Sequence, residues 1–209
     1  MTPERDSADK LLTDYPRPSV AVDTAVLTVK HGALCVALVQ NKTGWRLPGT
    51  FVHERETLAE AVLRSLRDKA RIEGLRPRQL HVFDDPDRDN RGWVMSVAHL
   101  VVVPEASVAH IDLTPVAEAH GLVYDHAQII EMAVDTLRTS YRAFADPERL
   151  LGPEFTLLEL LRLHSAIAGE PLGKDTFRRH MLGQLAETDA HQSGLVGKPA
   201  KLFRQRDAT

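Results

Sequence analysis

The chain holds several residue types that do chemistry, but few of them stand at the spacing that a known chemistry requires. Its ten histidines include no H-E-x-x-H pair, its single cysteine, Cys35, has no thiol partner, and His120 and His126 look like ordinary residues flanking a turn. Gly169-x3-Gly173-Lys174-Asp175 approaches a phosphate-binding loop, but it is one residue short, ends in aspartate and follows a helix. Neither G-x-S-x-G nor G-x-G-x-x-G occurs. The motifs therefore give no support to a zinc site, a P-loop or a serine hydrolase.

A second group of chemically suggestive residues is basic and lies near the C-terminal end. From Pro171 to Arg206 there are seven Lys and Arg against three Asp and Glu, whereas the rest of the chain carries a net charge of -7. A locally basic segment on an acidic body is typical of a nucleic-acid-binding module joined to another domain.

The basic residues are predicted to lie on a helix and on the loop of a hairpin. A helix from Lys174 to about Leu185 would bury Phe177, Met181 and Leu182 and turn its polar side chains toward the major groove of DNA. A Gly-rich loop over residues 189–199 would form a wing against the phosphates. The residues predicted to contact DNA are Lys174, Thr176, Arg178, Arg179, Lys198 and Lys201.

The surrounding elements predict a winged helix-turn-helix. Residues 155–168 form an amphipathic helix, residues 169–172 a turn, and residues 185–188 and 200–203 can pair as a hairpin around the Gly-rich loop. Two helices, a tight turn and a hairpin make up this DNA-binding motif.

The first two thirds of the chain mix strands with helices. Residues 19–38 predict a hairpin, residues 57–70 and 129–144 predict helices, and residues 80–83 and 94–103 predict further strands. Because these elements show no βαβ regularity, we expect a mixed-sheet α/β domain.

Composition and punctuation suggest two soluble domains. The 209 residues are enough for two compact domains, and a composition of 43% hydrophobic and 26% charged residues is ordinary for globular proteins. The Pro and Gly residues within Asp146–Pro153 break the helical pattern and predict a boundary there, which separates residues 16–150 from residues 151–209. No apolar run approaches the roughly 18 residues of a membrane span, and the polar N-terminus lacks the core of a signal peptide. We therefore expect a cytoplasmic protein without a membrane partner, in which Cys35 is a small buried strand residue.

The stretch that begins at Trp45 resembles the signature of the Nudix hydrolase family, G-x5-E-x7-R-E-U-x-E-E-x-G-U, where U is a bulky apolar residue. Glu56 and Arg64 match with the required seven residues between them, and Leu66 and Ile72 match the apolar positions. The resemblance implies a mixed-sheet α/β/α sandwich, a nucleotide diphosphate ligand, and a pairing of Arg64 with Glu56 that fixes the loop onto the helix.

The chain departs from this signature at the positions that carry the chemistry. The leading and closing glycines are Thr50 and Arg71, and the three metal-binding glutamate positions carry Ser65, Asp68 and Lys69. In an active member these glutamates share one helix face and hold Mg²⁺ on a diphosphate. Here Ser65 offers only a hydroxyl, and Lys69 is a cation that repels Mg²⁺. The resemblance thus implies the fold and a ligand, but no catalytic residue, no bound metal and no hydrolysis.

A wider resemblance covers roughly residues 16–206. Residues 83–98 and 124–130 are similar to the ADP-ribose-related Nudix branch. The C-terminal segments resemble those of the Nudix-related transcriptional regulators of NAD metabolism, which join a Nudix-like sensor to a winged helix, act as dimers and respond to ADP-ribose. The segments that carry this second resemblance are 153–160, 177–180 and 197–203.

The resemblance implies a repressor of NAD-metabolism genes that binds a palindromic double-stranded DNA operator as a homodimer. Its effector would be ADP-ribose or a related nucleotide, and it would need no cofactor. The predicted ligand-binding residues are Arg46, Phe51, Glu56, Asp68, Lys69, Asp89 and Arg91. Two alternatives stay open: an active Nudix pyrophosphatase that uses Glu56 and Asp68 with Glu54 or Glu60, and a sugar-responsive regulator of the same build.

Overall fold

A computed structural model describes residues 4–42, 44–192 and 200–206 of the chain. In this part, no helix combines the length and the apolar character needed to cross a bilayer. The strands are β1 Ser19–Lys30, β2 Ala33–Ala37, β3 Val39–Asn41, β4 Gly44–Arg46, β5 Gly49–Phe51, β6 Arg78–Phe83, β7 Val94–Val102, β8 Leu113–Pro115, β9 Leu185–Gln192 and β10 Ala200–Gln205. The α-helices are α1 Leu58–Ser65, α2 His126–Ala143, α3 Leu157–Ala168 and α4 Lys174–Met181.

The central sheet is mixed, as the sequence predicted. Its strand order is β6-β7-β1-β2-β8, and β5 also pairs with β1. Strand β1 runs parallel to β7 and antiparallel to β2 and β5. The predicted hairpin over residues 19–38 is confirmed by the β1–β2 pairing, in which Leu27 lies opposite Val36. Because β1 has neighbours on both sides and is buried along most of its length, it is the strand around which the domain is built.

Helices cover both faces of this sheet and make it an α/β/α sandwich, which confirms the predicted fold class. On one face, α1 contributes Val62 to a core that contains Val22 and Val26 of β1. On the other face, α2 and α3 pack on Ala25 and Leu27. Alternate side chains of β1 therefore supply two separate cores.

Helix α1 begins as predicted but does not stay regular to its end. The Thr57 hydroxyl accepts a hydrogen bond from the Glu60 backbone N–H, and the Glu60 carboxylate accepts one from the Thr57 N–H, so the predicted capping box is confirmed. Residues Leu66–Ala70 then form a wider π-helical turn that ends at Arg71. Such turns alter the angular spacing of the side chains that follow, and they are common at functional sites.

Arg71 takes the place of the closing glycine of the signature and has a left-handed backbone, with φ 52° and ψ 38°. This conformation costs a residue with a Cβ roughly 1–2 kcal/mol, a strain that glycine does not have. Glycine, however, loses more conformational entropy on folding, which lowers the free energy of unfolding by roughly 0.5–1 kcal/mol. We therefore expect Arg71→Gly to raise the free energy of unfolding by roughly 0.5–1 kcal/mol in urea titrations. The control Arg67→Gly, within the helical turn, should lower it by about 1 kcal/mol. A loss of stability in both variants would contradict this account.

The C-terminal elements form the winged helix with its own small core. The predicted inward positions Phe177 and Met181 are buried, and Phe155 exchanges two backbone hydrogen bonds with Phe203 at 2.9 and 2.8 Å. Helix α4 ends at Met181, earlier than the predicted Leu185, because residues Leu182–Gln184 form a 3-10 turn. The tip of the wing and its Lys198 lie outside the described residues.

Helix α3 belongs to both cores. Leu160 packs in the core of the winged helix, whereas Leu163 and Ile167 pack in the core of the sandwich. Between α2 and α3, the buried Asp146 carboxylate accepts hydrogen bonds from the Tyr141 hydroxyl at 2.6 Å and from two backbone N–H groups. The division into residues 16–150 and 151–209 stays a prediction.

Candidate functional site

A cavity of about 230 Å³ lies where β1, β5, the π-helical turn and the start of α2 meet. Five of the seven residues predicted to bind the ligand line it: Arg46, Phe51, Lys69, Asp89 and Arg91. Others that the sequence analysis did not single out line it too, among them Asp23, Arg88, Tyr124 and His126. The cavity, called here the ligand pocket, thus has four Lys and Arg side chains and two carboxylates in its wall.

Lys69 reaches the ligand pocket from the π-helical turn. Its ammonium donates a hydrogen bond to the Gly49 carbonyl. Burial and the positive charges of Arg46 and Arg64 lower the pKa of Lys69. A Cβ on Gly49 would lie 1.9 Å from the Asp23 carboxylate, so only glycine allows β5 to approach β1 this closely.

The floor of the pocket is a buried polar network around Asp23. Its carboxylate accepts a hydrogen bond from the Ser96 hydroxyl at 2.5 Å and lies 3.4 Å from Nε2 of His126. The Leu47 backbone N–H donates to Nδ1 of His126 at 3.0 Å, so the ring proton is on Nε2 and faces Asp23. Burial raises the pKa of Asp23, but these bonds and the charge of Arg88 outweigh it and hold the pKa below its ordinary value.

Arg88 forms the buried wall of the pocket. Its side chain is 4% exposed, and its guanidinium donates to both oxygens of Asp125, the residue just before α2. A local signal for Asp23 was available, since a carboxylate inside an apolar strand must have buried partners. Arg88 has no such local signal. The sequence interpretation took His126 as an ordinary residue beside a turn, whereas in the structure it is the first residue of α2 and lines the pocket.

Arg91 forms the outer rim of the pocket with two aromatic rings. Its guanidinium lies 5.4 Å from the ring centres of both Phe51 and Tyr124. Asp89 holds it there through two side-chain hydrogen bonds of 2.9 and 2.6 Å, and Arg91 in turn lowers the pKa of Asp89. Aromatic rings and a guanidinium at the rim of a pocket suit stacking against a planar base.

Two predicted ligand residues, Glu56 and Asp68, lie outside the lining of the pocket. Glu56 forms a double hydrogen bond with Arg64, at 2.7 and 2.8 Å, which lowers the pKa of Glu56 to about 2. Arg64 also donates to the Phe51 carbonyl at 2.9 Å. The pair thus fixes the loop onto the helix, while Asp68 is exposed and binds Arg67 at 3.0 Å.

The donor set does not fit the Mg²⁺ ion that an active signature would hold. Ser65 is buried with no hydrogen-bond partner among the described residues, Asp68 faces solvent, and Lys69 brings a positive charge. A regular helix would place positions 65, 68 and 69 on one face, but here Ser65 is buried, Asp68 pairs with Arg67 at the surface and Lys69 lines the pocket. In the described ranges, no three His, Cys, Asp or Glu side chains are grouped so that they could hold a metal ion.

A larger groove of about 1130 Å³ runs between β6 and α2 and shares Arg88 and Tyr124 with the ligand pocket. Its other charged residues are acidic: Asp84, Asp85, Asp125, Glu131 and Asp135. A nucleotide diphosphate is an anion, and a carboxylate-lined groove repels it. The smaller, cation-lined pocket is therefore the better ligand site.

The predicted DNA-contacting residues of α4 are all exposed, but they lie on different sides of the helix. Lys174 and Arg178 line one groove with Lys201 of β10, and Lys201 pairs with Glu187 at 2.5 Å. Thr176 lines a cavity on the opposite side, toward α2. Arg179 lies on the wheel directly opposite the buried side chains, which makes it the most outward basic residue of the helix.

Comparison with known proteins identifies this architecture. Residues 147–205 match the family model of the NrtR DNA-binding winged helix domain. The chain is 32% identical over 211 aligned positions to the ADPR responsive transcriptional repressor NtrR of Acinetobacter baylyi, covering 92% of this chain and 84% of that protein. The chain belongs to the NrtR family of Nudix-related transcriptional regulators of NAD metabolism.

Solved structures of the NrtR family cover both parts of the chain. NrtR of Shewanella oneidensis, complexed with a 27mer DNA, superimposes with a TM-score of 0.72 at 28% identity, covering 90% of this chain and 93% of that one. The NUDIX domain of the same NrtR, complexed with ADP ribose, gives a TM-score of 0.55 at 29% identity over 62% of this chain and 95% of that one. The resemblance to this family and its two-domain architecture, both expected from the sequence, are confirmed.

Proposed function

We propose that this protein is an ADP-ribose-responsive transcriptional repressor of NAD-metabolism genes. One observation carries the proposal: a cation-lined pocket, for which the described residues supply no metal-holding donor set, stands on the same chain as the winged helix of the NrtR family. The relatives support it, because one is an ADPR responsive repressor and another forms complexes with DNA and with ADP ribose.

In this proposal, the pocket binds the diphosphate of the effector through side chains alone. Arg46, Lys69 and Arg88 surround the space that the diphosphate would take, and Lys69 acts as a point charge in place of a metal ion. The rim of Phe51 and Arg91 stacks on a base or ribose. No cofactor is needed for this binding.

The protein should release no AMP from ADP-ribose in the presence of Mg²⁺ or Mn²⁺. Among the residues that the structure describes, no carboxylate cluster could hold a metal ion, so neither a metal-activated water nor a neutralised diphosphate is available. The measurement is AMP release by chromatography, with Glu56→Ala as the background control. Turnover clearly above that background and abolished by Asp68→Ala would revive the hydrolase alternative.

We also propose that a homodimer in the cytoplasm binds a palindromic operator. One winged helix reads only a few base pairs, and two recognition helices related by a twofold axis read an inverted repeat about one helical turn apart. Light scattering at micromolar concentration should give twice the mass of the chain for the free protein, and that mass plus the mass of the duplex for the complex with DNA. A monomer under both conditions would contradict this proposal.

Selection from random duplex DNA tests the whole function. The selected sites should contain an inverted repeat, and ADP-ribose should change the affinity for them at fixed salt. Sugar phosphates serve as the comparison, since a sugar-responsive regulator of the same build would respond to them and not to ADP-ribose. Failure to enrich any sequence would contradict a repressor.

A further inference from the structure

Helix α2 reaches from the ligand pocket to the winged helix, and we infer that it is the lever that couples them. Its 18 residues span about 27 Å at a rise of 1.5 Å per residue. His180 and Gln184 of the winged helix are the positioning residues that hold its far end. The inference rests on the proposed function and names how the ligand would alter DNA binding.

The N-terminal end of α2 is part of the pocket wall. His126, its first residue, faces Asp23 and accepts the hydrogen bond of the Leu47 N–H. Asp125, directly before the helix, holds the guanidinium of Arg88, which lines the pocket. A diphosphate beside Arg88 competes with Asp125 for the same guanidinium, so that ligand binding acts on the start of α2.

The C-terminal end of α2 is held by side chains of the winged helix. An α-helix leaves its last four carbonyls without helical partners. Here the Arg142 carbonyl accepts a hydrogen bond from Nε2 of His180 at 3.0 Å, and the Ala143 carbonyl accepts one from Nε2 of Gln184 at 2.9 Å. The amide oxygen of Gln184 also accepts from the Ala145 N–H at 3.0 Å. This single side chain therefore binds the backbone on both sides of the helix end.

These two residues are directly connected to the DNA-contacting side chains. His180 follows Arg178 and Arg179 in α4, and Gln184 ends the 3-10 turn that continues α4. A displacement at the end of α2 therefore passes to the recognition helix without an intervening loop. Helix shifts of about 1–2 Å are common in allosteric proteins, and such a shift breaks the geometry of a hydrogen bond to a base.

The body of α2 transmits a shift because one side of it is buried along its length. Ile129, Ala133, Leu137 and Tyr141 pack into the core of the sandwich at successive turns. A close-packed helix of this kind moves as a unit rather than bending residue by residue. The competing route is the packing of α3 on the same core through Leu163 and Ile167, and that route does not need Gln184.

The test measures the coupling between the two ligands in the full-length protein. The Kd for ADP-ribose is determined on the free protein and on the protein saturated with its selected operator, and their ratio is the coupling factor, roughly 5- to 150-fold in typical allosteric proteins. With His180→Ala and Gln184→Ala together, the ratio should fall to within about twofold of one, while the Kd on the free protein stays within about twofold of wild type.

Gln205→Ala is the matched control. Gln205 is also a glutamine of the winged helix that donates to a backbone carbonyl, but its acceptor, Asp146, lies beyond the end of α2. This variant should keep the wild-type ratio. If the double variant does not unfold cooperatively, Gln184→Glu is measured instead. This variant keeps the acceptor for the Ala145 N–H but loses the donor to the Ala143 carbonyl. Its coupling ratio should lie between the wild-type ratio and one.

A wild-type ratio in the double variant, or in a folded Gln184→Glu, would overturn the lever and favour the α3 route. An equal fall of the coupling ratio in Gln205→Ala would overturn it as well, since the coupling would then depend on any contact between the domains and not on the end of α2. A ratio of one in the wild-type protein, or no binding of ADP-ribose at all, would overturn the proposed function together with the lever. The two failures are thus distinguishable.

Discussion

Arg179→Ala should lose roughly 1–3 kcal/mol of operator binding, or about 5- to 150-fold in Kd. Arg179 is exposed and lies opposite the buried Phe177 and Met181, so that its guanidinium points away from the core of the winged helix. A guanidinium in the major groove binds guanine through two parallel hydrogen bonds, which alanine cannot replace. Arg178, on the side toward Lys201, should lose an amount in the same range.

Mobility-shift titration at fixed salt measures this loss, and Arg204→Ala is the control. Arg204 is also an exposed arginine of the winged helix, on β10, but it lies at the far end of the hairpin from the wing. All three variants should bind ADP-ribose as the wild type does. Wild-type affinity for the operator in both Arg178→Ala and Arg179→Ala would mean that the recognition helix has been placed wrongly.

Lys69→Glu should weaken the binding of ADP-ribose by at least about tenfold, since a hydrogen bond to a charged group contributes roughly 1.5–3 kcal/mol and the new carboxylate repels the diphosphate. Lys69 lines the pocket together with Arg46 and Arg88. If the ammonium takes the place of a metal ion, binding by the wild-type protein must also persist in EDTA. Calorimetry with and without the chelator measures both effects.

Arg67→Glu is the control for Lys69→Glu. It makes the same change of charge two residues earlier, on an exposed side chain that binds Asp68 rather than lining the pocket. Its affinity for ADP-ribose should stay close to that of the wild type. Equal losses in the two variants would show a long-range effect of net charge, and collapse of wild-type binding in EDTA would show that a metal is used after all.

Much of the fold follows from local patterns in the sequence. The apolar spacing in residues 129–144 predicts α2 because it repeats with the helical period, and Thr57 with Glu60 predicts the start of α1 because the two side chains cap it. The end of α4 is different. Its apolar stripe continues through Leu182, but the chain leaves the α-helix there and Gln184 binds the end of α2, a contact that no local pattern contains.

The ligand pocket shows the same division more sharply. Ser65 and Lys69 can be recognised from sequence as replacements for metal-binding carboxylates, because the signature places them by counting residues. The network of Asp23, Arg88 and His126 cannot be recognised in this way. These three residues lie on a strand, a loop and a helix that are far apart in the chain, and only the sheet order and the packing of α2 bring them together.

The sequence by itself thus determined the elements, the two-domain build and the positions at which the chain departs from the Nudix signature, because caps, periodicity and motif spacing act over a few residues. Only the tertiary structure decided which charges share a pocket, that Glu56 lies outside the lining of that pocket, and that the winged helix holds the end of α2. Those contacts join residues distant in the chain, and their free energy depends on burial and on the direction of each hydrogen bond, which exist only once the layers have packed.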